Sequence, residues 1–178
     1  SMDFFEATFL DSSRGGISTA LTFEKALTDL MHKKFGFFAK HTGQLNRTCG
    51  VGGYSDVFIV ADSFNKCAIL DAKASPSYAL SSDDYSKLIS NYIPNYLELL
   101  EKFDETRGQN IELEFCSYVA GGFRGDISYK LEQAYSATDV RCSAIKARDL
   151  LRLAKDGVSQ SVMRGRLSGV RLLSGDDV

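Results

Sequence analysis

Two short apolar runs joined by a turn constrain the fold of this chain more than any other stretch. Residues 56–61, from Asp56 to Ala61, and 67–74, from Cys67 to Ala74, read as two apolar strands. Asp62 to Lys66 between them is rich in turn formers. With Asp62 to Asn65 as the hairpin loop, Ala61 pairs with Lys66. Counting outward in that register sets Asp56 directly opposite Asp71. Side chains alternate along a strand, so Asp71 and Lys73 project to one side together with Cys67 and Ile69. The facing carboxylates are then expected about 4.5–5.5 Å apart at Cβ. In apolar surroundings (Phe58, Ile59, Ile69, Leu70) such a pair calls for a cation, an added proton or a neighbouring ammonium. Lys73 is one candidate.

The remaining elements place a sheet among helices. Leu21, Phe23, Ala26, Leu27, Leu30 and Met31 recur at helical spacing, predicting a helix from Ser18 or Thr22 to Lys34 with Gly36 as its stop. A long helix is predicted over 83–104, kinked or broken at Pro94. Strands are expected at 111–120 and 140–145, and helices near 128–135, 147–155 and 159–167. The fold class is α/β, a mixed central β-sheet flanked by helices. Residues 1–19 read as a tag scar and flexible lead-in, 20–172 as one domain, and 173–178 as a tail. The 178 residues suit one sizeable core, and 44% hydrophobic with 25% charged residues is an ordinary globular mixture.

Composition removes most chemistries. His32 and His41 are the only histidines, too few for a His-Asn-His nuclease. Cys49, Cys67, Cys116 and Cys142 are scattered singly, without zinc-ligand spacing or a disulfide framework; three of them sit in apolar strand-like runs and read as small buried hydrophobes, in a reducing, cytoplasmic setting. Gly-x-Ser-x-Gly is absent, and Gly50-x-Gly52 meets Ser55 where a dinucleotide fingerprint needs glycine; a bulge or tight turn explains these glycines. No run approaches the length of a membrane span. The net charge of −2 argues against a polybasic binder, but a cleavage domain can borrow DNA affinity from a partner. What remains is carboxylate chemistry.

Asp56, Asp71 and Lys73 are the types such chemistry needs. Mg²⁺ takes one or two carboxylates plus phosphate oxygens and water, and the Ala72 carbonyl is placed as a further ligand. The metal polarises the phosphoryl group and activates water. The lysine orients or deprotonates that water, or stabilises developing charge. A solvated ion pair is the plainer reading of Asp-x-Lys on a strand face.

Asp56, followed after fourteen residues by Asp71-Ala72-Lys73, is similar to the PD-(D/E)xK nuclease motif. More closely, the chain resembles the cleavage domain of FokI-type type IIS restriction endonucleases. The likeness runs from Phe23-Glu24 through Phe35-Gly36-Phe37 to Lys40-His41-x-Gly43, then Ile69 to Ala74, then Gly122-Phe123-Arg124-Gly125. It departs at Ser55, where the motif has proline. The resemblance implies a restriction-endonuclease-like fold and a Mg²⁺-dependent DNA endonuclease, with Mn²⁺ as substitute. In that reading Asp56 and Asp71 are metal ligands and Lys73 is the catalytic lysine. Glu24 falls where related nucleases keep a helical accessory acid, although a solvent-facing glutamate is the plainer reading. Arg124 is a candidate phosphate contact or a surface turn arginine.

Between 141 and 171 eight basic residues stand against two acidic ones. Arg148, Arg152 and Lys155 share a helical face, either following a DNA backbone or simply solvated. Expected partners are double-stranded DNA, a sequence-recognition domain outside this chain, and a second copy pairing transiently on DNA. Tyr85, Tyr92 and Tyr96 supply interface-type rings for that pairing. The setting is bacterial or phage. The alternatives are a repair or recombination nuclease of the same fold, or a catalytically inactive scaffolding or dimerisation module.

Overall fold

A computed structural model describes residues 2–46 and 53–174. Cys49, the glycines at 50 and 52, and residues 175–178 of the expected tail lie outside the described residues, whereas Leu173 is no tail residue: it is buried in the core and its N–H bonds Ala144 O at 2.8 Å. The elements are α1 (Met2–Ser12), α2 (Ala20–Phe35), β1 (Phe38–His41), β2 (Val57–Val60), β3 (Lys66–Ala72), α3 (Ser82–Lys87), α4 (Tyr96–Lys102), β4 (Glu112–Ala120), α5 (Ile127–Thr138), β5 (Arg141–Lys146), α6 (Ala147–Lys155) and α7 (Gln160–Leu167). A single 3₁₀ turn, Ile17–Thr19, leads into α2.

The five strands lie in the order β1-β2-β3-β4-β5. β1, β2 and β3 are antiparallel neighbours, and β3, β4 and β5 run parallel, so the sheet is mixed as the element order predicts. Each face is covered. Leu70, Ala68 and Ala72 of β3 pack with Phe23, Leu27 and Leu30 of α2 and with Leu150 and Leu153 of α6. Cys67 and Ile69 point the other way, toward Leu88, Leu99, Leu100, Ile127 and Leu131. Strands buried on both faces read as continuous apolar runs. Burial of this kind stabilises by about 25 cal/mol per Å² of apolar surface removed from water.

Helix α2 ends where Gly36 takes a left-handed φ of 75° and its N–H bonds His32 O. The long apolar stripe after β3 is divided, as Pro94 requires. A π-helical segment, Leu88–Tyr92, joins α3, and α4 restarts at Tyr96.

Two further expectations are corrected, and one strand is found where none was assigned. Residues 2–12 are not a loose lead-in: they form α1, whose Phe9 is fully buried with its ring 5.4 Å from that of Phe23. The stretch after Gly36 contributes a strand, β1, which pairs with β2 (Phe38↔Val60). Cys116 and Cys142 face each other across β4 and β5 and are joined by a disulfide, Cα–Cα 4.7 Å, while Cys67 is free and buried. Partners on adjacent strands are 26 residues apart in sequence, a spacing that no local motif announces. The bond also removes the cysteine argument for a reducing compartment. Among the described residues, no helix is long and apolar enough to cross a membrane.

Candidate active site

The hairpin register settles where the acids stand. Val57 pairs with Leu70 and Ala61 N–H bonds Lys66 O, so the same count places Asp56, just ahead of β2, across from Asp71. Asp71 is 6% exposed on β3, and Asp56 is half-buried. The carboxylate of Asp56 accepts a hydrogen bond from the Ala72 N–H at 2.8 Å. Its own carbonyl accepts the N–H groups of Thr42 and Gly43, at 2.8 and 3.1 Å. These bonds fix the acid from both sides.

Lys73 Nζ lies 2.9 Å from Asp71 Oδ2 and 3.7 Å from Asp84 Oδ2. The Tyr78 hydroxyl donates to the same Asp84 oxygen at 2.7 Å. Although Lys73 stands that close, Asp71 Oδ2 accepts no aligned hydrogen bond; the contact is an ion pair off the hydrogen-bond direction. A buried carboxylate oxygen with spare lone pairs suits a cation.

The electrostatics follow from crowding. Burial first, then the charge of Asp71 and that of Glu24, hold the Asp56 carboxyl well above its ordinary range, opposed by the Ala72 N–H. Burial alone would lower Lys73, but Asp71, Asp84 and Asp56 together hold its pKa above the usual lysine value. The Tyr92 hydroxyl is pushed up to about 12 by burial and then by Asp71. Tyr118, opposite Asp71 on β4, is raised for the same two reasons, and its hydroxyl is buried without a partner.

Glu24 is not solvent-facing. It is 8% exposed, and His41 Nε2 donates to its Oε1 at 2.9 Å. A Cβ on Gly43 would meet Asp56 Oδ1 at 2.8 Å and Glu24 Oε1 at 2.9 Å, so glycine is what lets the chain pass both acids. Glu24, Asp56, Asp71, Ala72, Lys73 and Tyr78 line one open cleft of about 390 Å³. Among the described residues, no set of three or more His, Cys, Asp or Glu side chains forms a metal-ligating group. Two carboxylates and the Ala72 carbonyl are nonetheless a donor set that Mg²⁺, which keeps most of its waters, accepts.

The family profile described as FokI, cleavage domain matches residues 1–170. The chain belongs to the FokI cleavage-domain family. The structure of restriction endonuclease FokI superposes with a TM-score of 0.70 at 16% identity, covering 93% of this chain and 30% of that one. The structure of restriction endonuclease FokI bound to DNA gives 0.73 at 16% identity, with 95% and 30% covered. The chain thus spans about 30% of the length of those enzymes. No curated protein sequence matches it. Family and fold are both those of a FokI-type cleavage domain.

In this FokI-type domain the departure at Ser55 has a local account. Ser55 is buried, its Oγ donates to Val57 O at 3.3 Å, and its carbonyl accepts the Thr42 hydroxyl at 2.7 Å, so the backbone entering Asp56 is held without proline. The other basic candidates do not converge on the cleft. Arg152 lies 3.6 Å from Asp149, Lys155 lies 3.2 Å from Glu6, and Arg124 Nε donates to Ser77 O at 3.1 Å. Only Arg148 of that group lines a cleft with other cations. Sequence reasoning missed Asp84, Tyr78 and His41. Tyr92, expected at an interface, lines the active cleft instead.

Proposed function

We propose that this chain is the DNA-cleaving module of a type IIS-like restriction enzyme, hydrolysing phosphodiester bonds of double-stranded DNA with Mg²⁺, or Mn²⁺ in its place. The observation that carries the reading is the Asp71 carboxylate, buried, short of hydrogen bonds and ion-paired to Lys73 beside Asp56, in a member of the FokI cleavage-domain family.

Asp56, Asp71 and the Ala72 carbonyl would hold the metal. The chemistry it would supply there is polarisation of the phosphoryl oxygen and activation of water. The surrounding carboxylates hold the Lys73 pKa above the usual lysine value. Beside the metal, Lys73 would orient the water or stabilise negative charge developing on the phosphate. Asp84 and Tyr78 fix where that ammonium stands. Glu24, anchored by His41, is an accessory acid at the cleft wall.

In this reading a sequence-reading domain lies outside the chain, two copies pair transiently on DNA to cut both strands, and the enzyme works in the cytoplasm of a bacterial host. Incubation with plasmid DNA, with Mg²⁺ and then with EDTA, tests it. Conversion of supercoiled DNA to nicked and linear forms only when Mg²⁺ is present is expected; no conversion at any metal or enzyme concentration overturns it.

A further inference from the structure

A second cleft begins where the active one ends. Ala74 and Ser75 line the cleft of Asp71 and Lys73, and the next residue, Pro76, lines a neighbouring cavity of about 370 Å³. Arg14, Lys146 and Arg148 line that cavity together with Gly121 and Gly122, and no carboxylate does. The three cations come from two segments distant in sequence: Arg14 from the turn after α1, and Lys146 and Arg148 from the junction of β5 and α6.

None of the three has a carboxylate counter-ion among the described residues, unlike several neighbours. Arg164 is paired bidentately with Glu114, Lys155 with Glu6 and Arg152 with Asp149, and Arg141 stacks on Tyr135. Among the described residues, no carboxylate pairs with Arg14, Lys146 or Arg148. Like charges gathered in one concave site repel unless an anion joins them. Phosphate is the anion that an arginine fork and a lysine fit.

The site is also built rigidly onto the catalytic strand. Gly16 N–H bonds Ala74 O at 2.8 Å, Gly121 N–H bonds Ser13 O at 3.1 Å, and Gly122 N–H bonds Ser75 O at 3.1 Å. A Cβ on Gly121 would lie 2.6 Å from Arg14 Cγ, and one on Gly122 would lie 2.2 Å from Pro76 O. Glycine therefore lets three backbones close on one another, and the arginine stem rests on that floor.

We infer that this cleft is a phosphate subsite for the substrate strand, in which Arg14, Lys146 and Arg148 hold a DNA backbone phosphate adjacent to the one at Asp56, Asp71 and Lys73. The inference rests on the nuclease reading, so its test is a binding measurement that does not need cleavage. Arg14 and Arg148 are exposed, which lets both be replaced without disturbing the core.

Anisotropy of a labelled DNA duplex is followed in EDTA across a salt series. The chain is compared with an Arg14→Gln/Arg148→Gln double variant and with Lys33→Ala, which removes a remote surface charge; thermal melts check folding. The double variant is expected to bind at least about tenfold more weakly. The slope of log affinity against log salt should fall by about one per cation removed, with Lys33→Ala unchanged. Equal affinity and slope in chain and double variant overturn the subsite, as does equal loss in Lys33→Ala. Plasmid cleavage with Mg²⁺ separates the two ideas. Cleavage with unchanged variant binding defeats the subsite alone. Selective loss of binding in a chain that never cleaves upholds the subsite and defeats the nuclease reading.

Discussion

The Asp56 carboxylate accepts the backbone N–H of Ala72, 2.8 Å away, and so is bonded to β3 between Asp71 and Lys73. The acid at the mouth of β2 is thereby fixed to the strand that carries the other two groups. Small changes at any of the three should be felt in function before they are felt in the fold.

Asp71→Ala and Lys73→Ala should each lower DNA cleavage by at least about a hundredfold while leaving circular dichroism unchanged. In the proposed reaction both would act on the phosphate, and neither fills the core. Plasmid assays and melts together check this, and cleavage at the original rate in either alanine variant would sink the assignment.

The pH dependence follows from the raised Asp56 pKa. A folded chain that keeps this proton, when the unfolded chain releases it near pH 4, gains stability that is complete below that pH. The gain is lost as pH rises through the native value. In EDTA, the unfolding free energy of the chain minus that of Asp56→Asn should therefore decline from pH 4 upward and then level off. Metal binding favours the ionised acid, so Mg²⁺ should flatten the decline. A difference that is level throughout in EDTA contradicts a buried, charge-crowded carboxyl.

Mg²⁺ and Mn²⁺ should support turnover, and Ca²⁺ should bind without it. Calorimetry on the chain and on Asp56→Ala should show weaker Mg²⁺ binding in the variant. Equal affinities would remove Asp56 from the metal site.

Gly43→Ala should push Asp56 and Glu24 apart, since the new Cβ meets both carboxylates and lies 3.2 Å from Asp56 Cα. We expect a stability loss of about 1–3 kcal/mol, typical of overpacking, with a larger fractional loss of Mg²⁺ affinity. Denaturant titration and calorimetry measure the two. Intact Mg²⁺ affinity would separate this wall from the site.

Pairing on DNA predicts that double-strand cleavage depends on enzyme concentration to second order, with nicked plasmid accumulating when enzyme is scarce. Strictly first-order double-strand cleavage by a demonstrated monomer would defeat the paired model.

The sequence by itself determined the hairpin and its consequences. The length of the turn at Asp62 to Asn65 specifies the register, and strand alternation puts Asp71 and Lys73 on one face, so the two acids and the lysine were legible from spacing. Helix α2, its Gly36 stop and the break at Pro94 were legible too, because local backbone chemistry dictates them. Tertiary structure decided what depends on distant neighbours. Helix α1 is ordered because Phe9 finds Phe23, and Glu24 is buried because Gly43 and His41 close over it. Cys116 finds Cys142 only once β4 and β5 lie side by side. The helical face of Arg148, Arg152 and Lys155 was visible as a periodicity, and so was the local Asp149–Arg152 pair, yet Glu6 takes Lys155 and Arg148 joins Arg14 from the far end of the chain. Spacing along one element fixes which side chains share a face; which charges go unpaired depends on what the fold brings against that face.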